Sequence, residues 1–357
     1  MFFYVILLFV GTILSQDQVQ SQLKNVQDVQ GSAGAFAAIL TDGSVVTWGS
    51  LTHGGDSSAV QHQLRNVQQL RANPNVFAAI LADGHVVTWG GHGGPDYGAD
   101  SSKVQDQLKG VQQIQATEEA FAAILEDGSV VTWGSGYYGG ESDAVQHLLR
   151  NVQQLEATSS AFAAILSDGS VVTWGNPTCG GDSSAVQPQL RNVQQLHATK
   201  GAFAAILSDL SVVTWGKAES GGDSSSVQHK LRNVQQLQAT GFAFAAILED
   251  GSVVTWGHPH MGGDCSTILH RLKNVQQIEA TRMAFAAILE DGSVATWGIS
   301  GAGGDSSAVQ HLLRNVLQLQ ATSSAFAALL GDGSIVTWGK SAFGGDSFHV
   351  QDQIESL

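Results

Sequence analysis

Few residues in this chain have the types and spacing that catalysis or metal binding requires. His258 and His260 are separated by one residue, which suits two ligands of a transition metal, but the sequence places no third ligand beside them. Glu118 and Glu119 are adjacent and would point to opposite sides of an extended segment, so they make a poor general acid and base pair. The chain contains no Gly-x-Ser-x-Gly, P-loop or His-Glu-x-x-His motif. We therefore expect a non-enzymatic protein without metal or cofactor; a hydrolase is one alternative.

An aspartate follows a pair of glycines at many points along the chain, as at Asp56 and Asp182. Calcium needs about six or more oxygen ligands, usually from one local loop, and a single carboxylate in each such loop cannot supply them. An aspartate before the segment "SSAVQHQL" is instead a typical helix N-cap, and Arg65 after it complements a helix dipole. The pattern predicts a short helix here, with a fourth, irregular strand as the alternative.

The composition indicates a folded, turn-rich and acidic protein. The chain has 357 residues, a formal net charge of −15, a pI near 5.0 and 42 glycines. Nucleic-acid-binding proteins usually carry a basic stripe, so we expect no nucleic-acid partner. Half of the 16 lysines and arginines occupy one repeated position, which we interpret as structural: Lys24, Arg65, Lys109, Arg150, Arg191, Arg232, Lys273 and Arg314.

Residues 1–15 form a hydrophobic leader, "MFFYVILLFVGTILS". A membrane-spanning helix needs about 20 apolar residues, and this run of about 14 suits the core of a signal peptide better. The first basic residue is Lys24, so the charged start of a typical signal peptide is absent. We expect a signal peptide and a secreted protein with no stable membrane span; an uncleaved anchor or a cytoplasmic location is the alternative. The two cysteines, Cys179 and Cys265, indicate neither a disulfide framework nor a zinc site.

An internal repeat organises the rest of the chain. Each unit contains an alternating segment such as "VQQLQAT", an apolar run such as "AFAAIL", an Asp-Gly turn and a second apolar run such as "SVVTWG". Alternation and Asp-Gly turns predict three antiparallel strands per unit. The tryptophans recur every 41 residues, except for a spacing of 44 between the second and third: Trp48, Trp89, Trp133, Trp174, Trp215, Trp256, Trp297 and Trp338.

The apolar runs predict that both faces of each sheet are buried, as in the blades of a β-propeller. The segments "QVQSQLKN" and "HVQDQI" near the two termini are copies of the same half-unit, as expected where the ends of a ring meet. The repeat therefore predicts an all-β fold: a closed β-propeller of eight blades, with seven as the alternative. We expect residues 16–357 to form this single domain and the protein to be a monomer.

The repeat resembles that of the regulator-of-chromosome-condensation family. The resemblance rests on an apolar strand, Asp-Gly, a strand ending in Trp-Gly and a glycine-rich loop, and it covers residues 17–357. The Gly-His and Trp-Asp signature of WD-repeat propellers is absent. The resemblance implies a propeller, usually of seven blades, and the short period is closer to compact secreted relatives such as the β-lactamase-inhibitor propeller.

The functions of that family do not follow from its fold. The nucleotide-exchange activity of the founding member depends on an inserted wedge, whereas the only insertion here is three residues long. Other members belong to ubiquitin ligases, and no residues outside the repeats are present for a ligase domain. An intracellular regulator resembling exchange factors or ligase-associated propellers, without a ligase domain, is therefore an alternative function.

Two segments vary among the units while the strands and the Asp-Gly turns stay nearly constant. One is the pair of residues after Ala-Thr, and the other is the group of about four residues after Trp-Gly. In a three-stranded meander both lie at the edge opposite the Asp-Gly turn, so they should gather on one face. Variable loops on a constant frame are typical of a binding surface. Neutral drift of unconstrained loops is the alternative.

The variable segments supply the candidate residues for binding a protein partner. Tyr97, Tyr137 and Tyr138 are expected to form an aromatic cluster, because exposed tyrosine is common at binding hot spots. Phe242, Met261 and Met283 are expected to form an apolar patch. The remaining candidates are His258, His260, Arg282 and Phe343.

Overall fold

The computed structural model describes residues 22–91 and 97–347. The strands β1–β24 form eight three-stranded antiparallel sheets, which we call blades 1 to 8 in chain order. The prediction of an all-β chain with eight three-stranded propeller blades is confirmed. The hydrophobic leader, residues 1–15, lies outside the described residues. In the part of the chain that the structure describes, no helix is both long and apolar enough to cross a membrane.

The strands of each blade follow the repeat. The first strands are Val26–Gly31, Val67–Ala72, Val111–Ala116, Val152–Ala157, Val193–Ala198, Val234–Ala239, Val275–Ala280 and Val316–Ala321. The second strands are Ala35–Leu40, Val76–Leu81, Ala120–Leu125, Ala161–Leu166, Ala202–Leu207, Ala243–Leu248, Ala284–Leu289 and Ala325–Leu330. The third strands are Val45–Gly49, Val86–Gly90, Val130–Gly134, Val171–Gly175, Val212–Gly216, Val253–Gly257, Val294–Gly298 and Ile335–Gly339.

The described residues belong to two compact units. The first contains residues up to Glu126 together with Val131–Gly136, and the second contains Asp127–Val130 and the residues from Tyr137 onward. In each unit, the side chains of one blade pack against those of the next. In the second unit, for example, Ala161 and Ile165 of blade 4 belong to one buried cluster with Phe203 of blade 5. The second strands of blades 2 to 7 are buried on both faces, as the continuous apolar runs predicted.

A glycine, a phenylalanine and a tryptophan form a recurring contact that we call the clasp. Gly180 follows blade 4 with a φ of 97°, and a Cβ placed on it would be 2.5 Å from a ring carbon of Phe203. The Trp215 indole N–H donates a hydrogen bond of 3.0 Å to the Gly180 carbonyl oxygen. Phe203 and Trp215 are cross-strand partners in blade 5, and their rings stack 5.2 Å apart. The clasp explains why the tryptophan and the glycine are repeated. The phenylalanine and tryptophan of one blade contact the glycine in the loop that follows the preceding blade.

The Asp-Gly turns join the second and third strands. At the turn of blade 4, Gly169 has a φ of 76°, which glycine adopts at little cost. The Asp168 carboxylate accepts hydrogen bonds from the Ser170 backbone N–H at 2.9 Å and from its hydroxyl at 2.6 Å. Leu210 takes the glycine position in blade 5 with a φ of 62°, so a residue with a Cβ is held in the left-handed region.

We expect Leu210→Gly to raise the free energy of unfolding by about 1 kcal/mol, because left-handed backbone strains a branched side chain by about 1–2 kcal/mol. Urea unfolding of the two proteins measures this difference. The reciprocal variant Gly251→Leu, at the same turn position of blade 6, should lower stability by a similar amount. A loss of stability in Leu210→Gly would contradict the strain argument.

The turn aspartates predict a loss of stability in acid. Hydrogen bonds from the side chain and the backbone of Ser170 hold the pKa of Asp168 below its ordinary value. A lowered pKa in the folded state contributes stability that is present above the unfolded value of about 3.9 and is lost as the pH falls through the folded value. Asp168→Asn lacks this titrating group. Its stability relative to that of the unchanged protein should therefore be higher at pH 3 than at pH 6, as measured by urea unfolding. An equal difference at both pH values would contradict this.

The short helix expected after the Gly-Gly-Asp sequence is only a single turn of 3-10 helix, for example Gln187–Gln189. Asp182 accepts a hydrogen bond from the Ser184 backbone N–H. The N-cap of the 3-10 turn is Val186, without a side-chain cap hydrogen bond, so the prediction that the aspartate is the N-cap is wrong. What the sequence did not predict is the clamp that holds the segment down. Ser183 donates to the side-chain oxygen of Gln187, whose amide donates at 2.9 Å to the Val171 carbonyl oxygen. This clamp keeps the segment against the third strand, and none of the described residues here form a fourth strand.

Candidate functional site

The two variable segments of a blade lie side by side. In blade 4 the Thr158 hydroxyl donates a hydrogen bond of 3.0 Å to the Cys179 carbonyl oxygen in the loop after the third strand. The same hydroxyl accepts from the Ala161 N–H and so also fixes the turn between the first two strands. We call these two joined segments the loop edge of a blade. The equivalent donors in other blades are Ser32, Asn73, Thr199, Thr240, Thr281 and Thr322.

Backbone hydrogen bonds link the loop edges of successive blades within the second unit. The N–H of the first variable residue in each turn donates to the carbonyl oxygen of its counterpart in the next blade. The links run from Ser159 to Lys200, Gly241, Arg282 and Ser323, with lengths of 3.0, 2.9, 2.8 and 3.1 Å. We call this series the turn ladder. The residues at these positions vary among serine, lysine, glycine and arginine, but backbone hydrogen bonds hold the main chain that carries them.

The turn ladder brings two cationic side chains together. A Cβ placed on Gly241 would be 3.4 Å from Cγ of Arg282 and 3.6 Å from Cδ of Lys200, so these side chains flank the glycine. Arg282 is exposed and Lys200 is half-buried. Two cationic residues therefore flank the same glycine of the turn ladder. The sequence analysis selected Arg282 as a candidate residue but did not predict that Lys200 lies on the other side of the same glycine. The two residues belong to repeats that are not consecutive, and they come together only because the blades stack.

Tyr137 and Tyr138 form the aromatic part of the candidate site. Both belong to the 3-10 turn Gly136–Tyr138, and their rings lie 5.4 Å apart in an edge-to-face arrangement. Tyr137 is 66% exposed, more than any other large hydrophobic side chain among the described residues, while Tyr138 is half-buried. Tyr97 is half-buried and packs against the buried cluster of blades 2 and 3. Its membership of the aromatic cluster stays a prediction.

Blade 6 gathers three of the predicted residues at one loop edge. The Thr240 hydroxyl accepts from the Phe242 N–H and donates to the Met261 carbonyl oxygen. The His258 N–H donates to the Phe242 carbonyl oxygen at 2.9 Å. All three side chains are half-buried. Met283, in the next blade, packs against a buried cluster of blades 7 and 8, so much of its surface serves the core.

The histidine pair lies on this loop edge, with the two rings 6.0 Å apart. Within residues 22–91 and 97–347, no three side chains of the His, Cys, Asp and Glu types are placed to hold a metal ion. His260 instead lies near Asp264, whose pKa is lowered, chiefly by the Ser266 backbone N–H and to a smaller extent by His260.

A groove of about 500 Å³ beside the loop edge of blade 6 was not anticipated from the sequence. Its lining includes Cys265 and Leu269, which replace the serine and glutamine of the clamp found in other blades. Burial raises the pKa of the Cys265 thiol, so the neutral form predominates and the thiol is a weak nucleophile. The sequence feature that could have indicated this groove is the replacement of both clamp residues, the serine and the glutamine, in a single unit.

Phe343 is the predicted site residue of blade 8. It ends the 3-10 turn Ser341–Phe343, and its side chain is 41% exposed. The Lys340 ammonium lies 5.0 Å from the centre of its ring, a cation–π distance. Its carbonyl oxygen accepts from the Thr322 hydroxyl, so its backbone is held on the loop edge, and its role in binding stays a prediction.

Comparisons with known proteins add little to this geometry. No family model matches the chain, and no curated protein matches it. Among solved structures, the chain is similar to the CRINKLY WD40 ectodomain of the receptor kinase ACR4 from Arabidopsis thaliana, with 18% identity and a TM-score of 0.43 over 77% of this chain and 97% of that one. It is also similar to Prp20p from Saccharomyces cerevisiae, with 16% identity and a TM-score of 0.43 over 93% and 86% of the two chains. Membership of the regulator-of-chromosome-condensation family stays a prediction.

Proposed function

We propose that this protein is a non-enzymatic scaffold that binds a protein partner through the loop edges of its blades. The observation that carries the proposal is the edge-to-face pair of Tyr137, which is 66% exposed, and Tyr138, which is half-buried, in the loop after the third strand of blade 3. Exposed tyrosine offers a large contact area at a small cost in side-chain entropy, which is why it is frequent at binding hot spots.

The fixed backbone beneath the variable side chains supports this proposal. Binding is weakened when loops must be ordered on association, and each immobilised flexible side chain costs about 0.5–1.5 kcal/mol. The turn ladder and the Thr158 hydrogen bonds hold the loop-edge backbone before any partner arrives. Neutral drift would explain the variation itself, but it does not explain a 66% exposed Tyr137 on such a frame.

The cationic residues of the loop edges indicate which kind of partner surface would be complementary. Lys200 and Arg282 place positive charge on the loop edges of a protein whose formal net charge is −15. A partner surface with apolar groups for the tyrosines and carboxylates for the cations would be complementary to both features. The alternative function, that of an intracellular regulator, would use the same surface. The secreted location depends on the leader and stays a prediction.

The test is a quantitative affinity enrichment with the double variant Tyr137→Ser and Tyr138→Ser. We expect partners enriched by the unchanged protein to be lost or reduced at least about tenfold, the effect of a hot spot worth 1.4 kcal/mol or more. Leu148→Ser is the matched control, because Leu148 is 46% exposed but lies on the segment between blades rather than on a loop edge. Equal capture by the double variant and the unchanged protein would remove the tyrosine pair from the site.

A further inference from the structure

The clamp is formed in blades 1–5 and in blade 7, and it is lost in blade 6. In each of the six, a serine hydroxyl donates to the side-chain oxygen of a glutamine, whose amide donates at 2.8 or 2.9 Å to the carbonyl oxygen of the first residue in the third strand. In blade 6 the serine and the glutamine are replaced by Cys265 and Leu269. A leucine side chain has no hydrogen-bond donor, so Leu269 cannot give the Val253 carbonyl oxygen the bond that its six counterparts receive.

The Val253 carbonyl oxygen points away from the second strand of its blade. The Leu248 N–H donates to the Ser252 carbonyl oxygen at 2.9 Å, so these two residues form a hydrogen-bonded pair. Antiparallel strands alternate such pairs with pairs that are not hydrogen-bonded, and Val253 opposite Ile247 is the next pair. The backbone polar groups of Val253, and of Thr255 two residues later, therefore face the outer edge of the sheet. The groove of about 500 Å³ lies along this edge and is lined by the whole third strand.

A guanidinium already binds the equivalent carbonyl oxygen in the next blade. The Val294 carbonyl oxygen accepts from the Gln310 amide at 2.9 Å and also from a terminal nitrogen of Arg271 at 3.2 Å. A guanidinium is planar like a carboxamide and carries five N–H donors, so it can take the place of the glutamine amide at this position. The chain thus shows which chemical group fits the outer edge of a blade where the clamp is lost.

The charge of the groove lining favours a cationic occupant. Glu219, Asp223 and Asp264 line the groove, against a single basic lining residue, Lys230. Leu269 is 48% exposed and offers an apolar surface for the aliphatic stem of a long side chain. An arginine side chain combines the donor, the charge and the stem that these lining residues would complement.

We propose that the groove along the third strand of blade 6 binds an arginine side chain on an extended segment of a partner protein. The guanidinium donates to the Val253 carbonyl oxygen, its stem lies on Leu269, and the acidic lining residues offset its charge. The backbone of the segment runs beside Thr255 at the outer edge, as in recognition by strand addition. These contacts do not involve the tyrosine pair of blade 3, so the proposal does not depend on the proposed function.

The first test compares three short peptides by NMR titration of the unchanged protein. The probe is acetyl-Val-Arg-Val-amide, and the comparison peptides carry glutamine or leucine in place of the arginine. We expect the leucine peptide to bind at least about tenfold more weakly than the arginine peptide, because it lacks both the donor and the charge. The glutamine peptide, which keeps a donor, should lie between them. Absence of binding by the arginine peptide, or equal affinities of the arginine and leucine peptides, would overturn the proposal.

The second test restores the clamp. The double variant Cys265→Ser and Leu269→Gln introduces a pair that six other blades already contain, so we expect it to fold, and its glutamine should occupy the Val253 carbonyl oxygen. Its affinity for the arginine peptide should fall at least about tenfold. Leu312→Gln is the matched control, since Leu312 is 47% exposed on the segment after blade 7 and does not line the groove. Undiminished binding by the double variant, or an equal loss in the control, would place the peptide elsewhere and contradict the assignment.

Lys230→Gln tests the charge. A glutamine stands at the same repeat position in other units, for example Gln189, so the substitution is mild. Removing the like charge beside the groove should strengthen binding of the arginine peptide by about two- to fivefold and leave the glutamine peptide unchanged. Weaker binding of the arginine peptide by this variant would show that the guanidinium does not enter the groove.

Discussion

Replacing Phe203 with alanine is expected to lower the free energy of unfolding by about 3–5 kcal/mol, the range for buried phenylalanine. Phe203 is fully buried, stacks on Trp215 and fills the space beside Gly180, so its removal opens a cavity between two blades. Urea unfolding followed by tryptophan fluorescence measures the change. Because repeat units can unfold separately, hydrogen exchange of the flanking strands should show that the loss is centred on blade 5.

Phe36→Ala is the matched control for this prediction. Phe36 has the same partner tryptophan and the same strand position, but it is 49% exposed. Only about half of its side chain is removed from water, so we expect a smaller loss of about 1–2 kcal/mol. Equal losses in the two variants would show that the clasp contributes little to stability.

The second large effect is expected for Gly180→Ala. The added methyl group would lie 2.5 Å from the Phe203 ring, and relieving that overlap should cost about 1–3 kcal/mol. The φ of 97° adds about 1–2 kcal/mol, because a Cβ is unfavourable in this region. We expect a total loss of about 2–5 kcal/mol, measured by the same unfolding experiment.

Gly344→Ala separates the two contributions to that loss. Its φ of 93° is nearly the same, but the new methyl group would have open space around it. Only the cost of the left-handed backbone, about 1–2 kcal/mol, should remain. If Gly344→Ala were as damaging as Gly180→Ala, steric contact with the phenylalanine would not be the reason that glycine is repeated.

The fold could be predicted from the sequence because it depends on local and periodic signals. The 41-residue repeat marked the eight blades, and Asp-Gly dipeptides marked seven of the eight hairpins. The remaining hairpin, where Leu210 replaces glycine, was recognised by its position in the repeat. The segment after Gly-Gly-Asp was predicted less well. Its helical pattern is real, but the clamp between Ser183, Gln187 and the Val171 carbonyl oxygen restricts it to a single 3-10 turn.

The candidate site could be predicted only in part. Counting which segments vary located the loop edges, and the adjacency of the two segments followed from strand order. The pairing of Lys200 with Arg282, however, depends on hydrogen bonds between blades, and their separation in sequence hides it. The inward packing of Met283 was equally hidden, since a methionine in a variable loop looks the same in the sequence whether it faces solvent or core.

The clasp also bears on how such a chain changes length during evolution. Every clasp uses the same three residue types in the same geometry, so one blade fits its neighbour much as any other would. Duplication or deletion of a 41-residue segment in the gene would join two compatible surfaces and create no new interface to be optimised. Unequal recombination between near-identical repeats could therefore alter the number of blades in one step, while the loop edges diverge by point mutation.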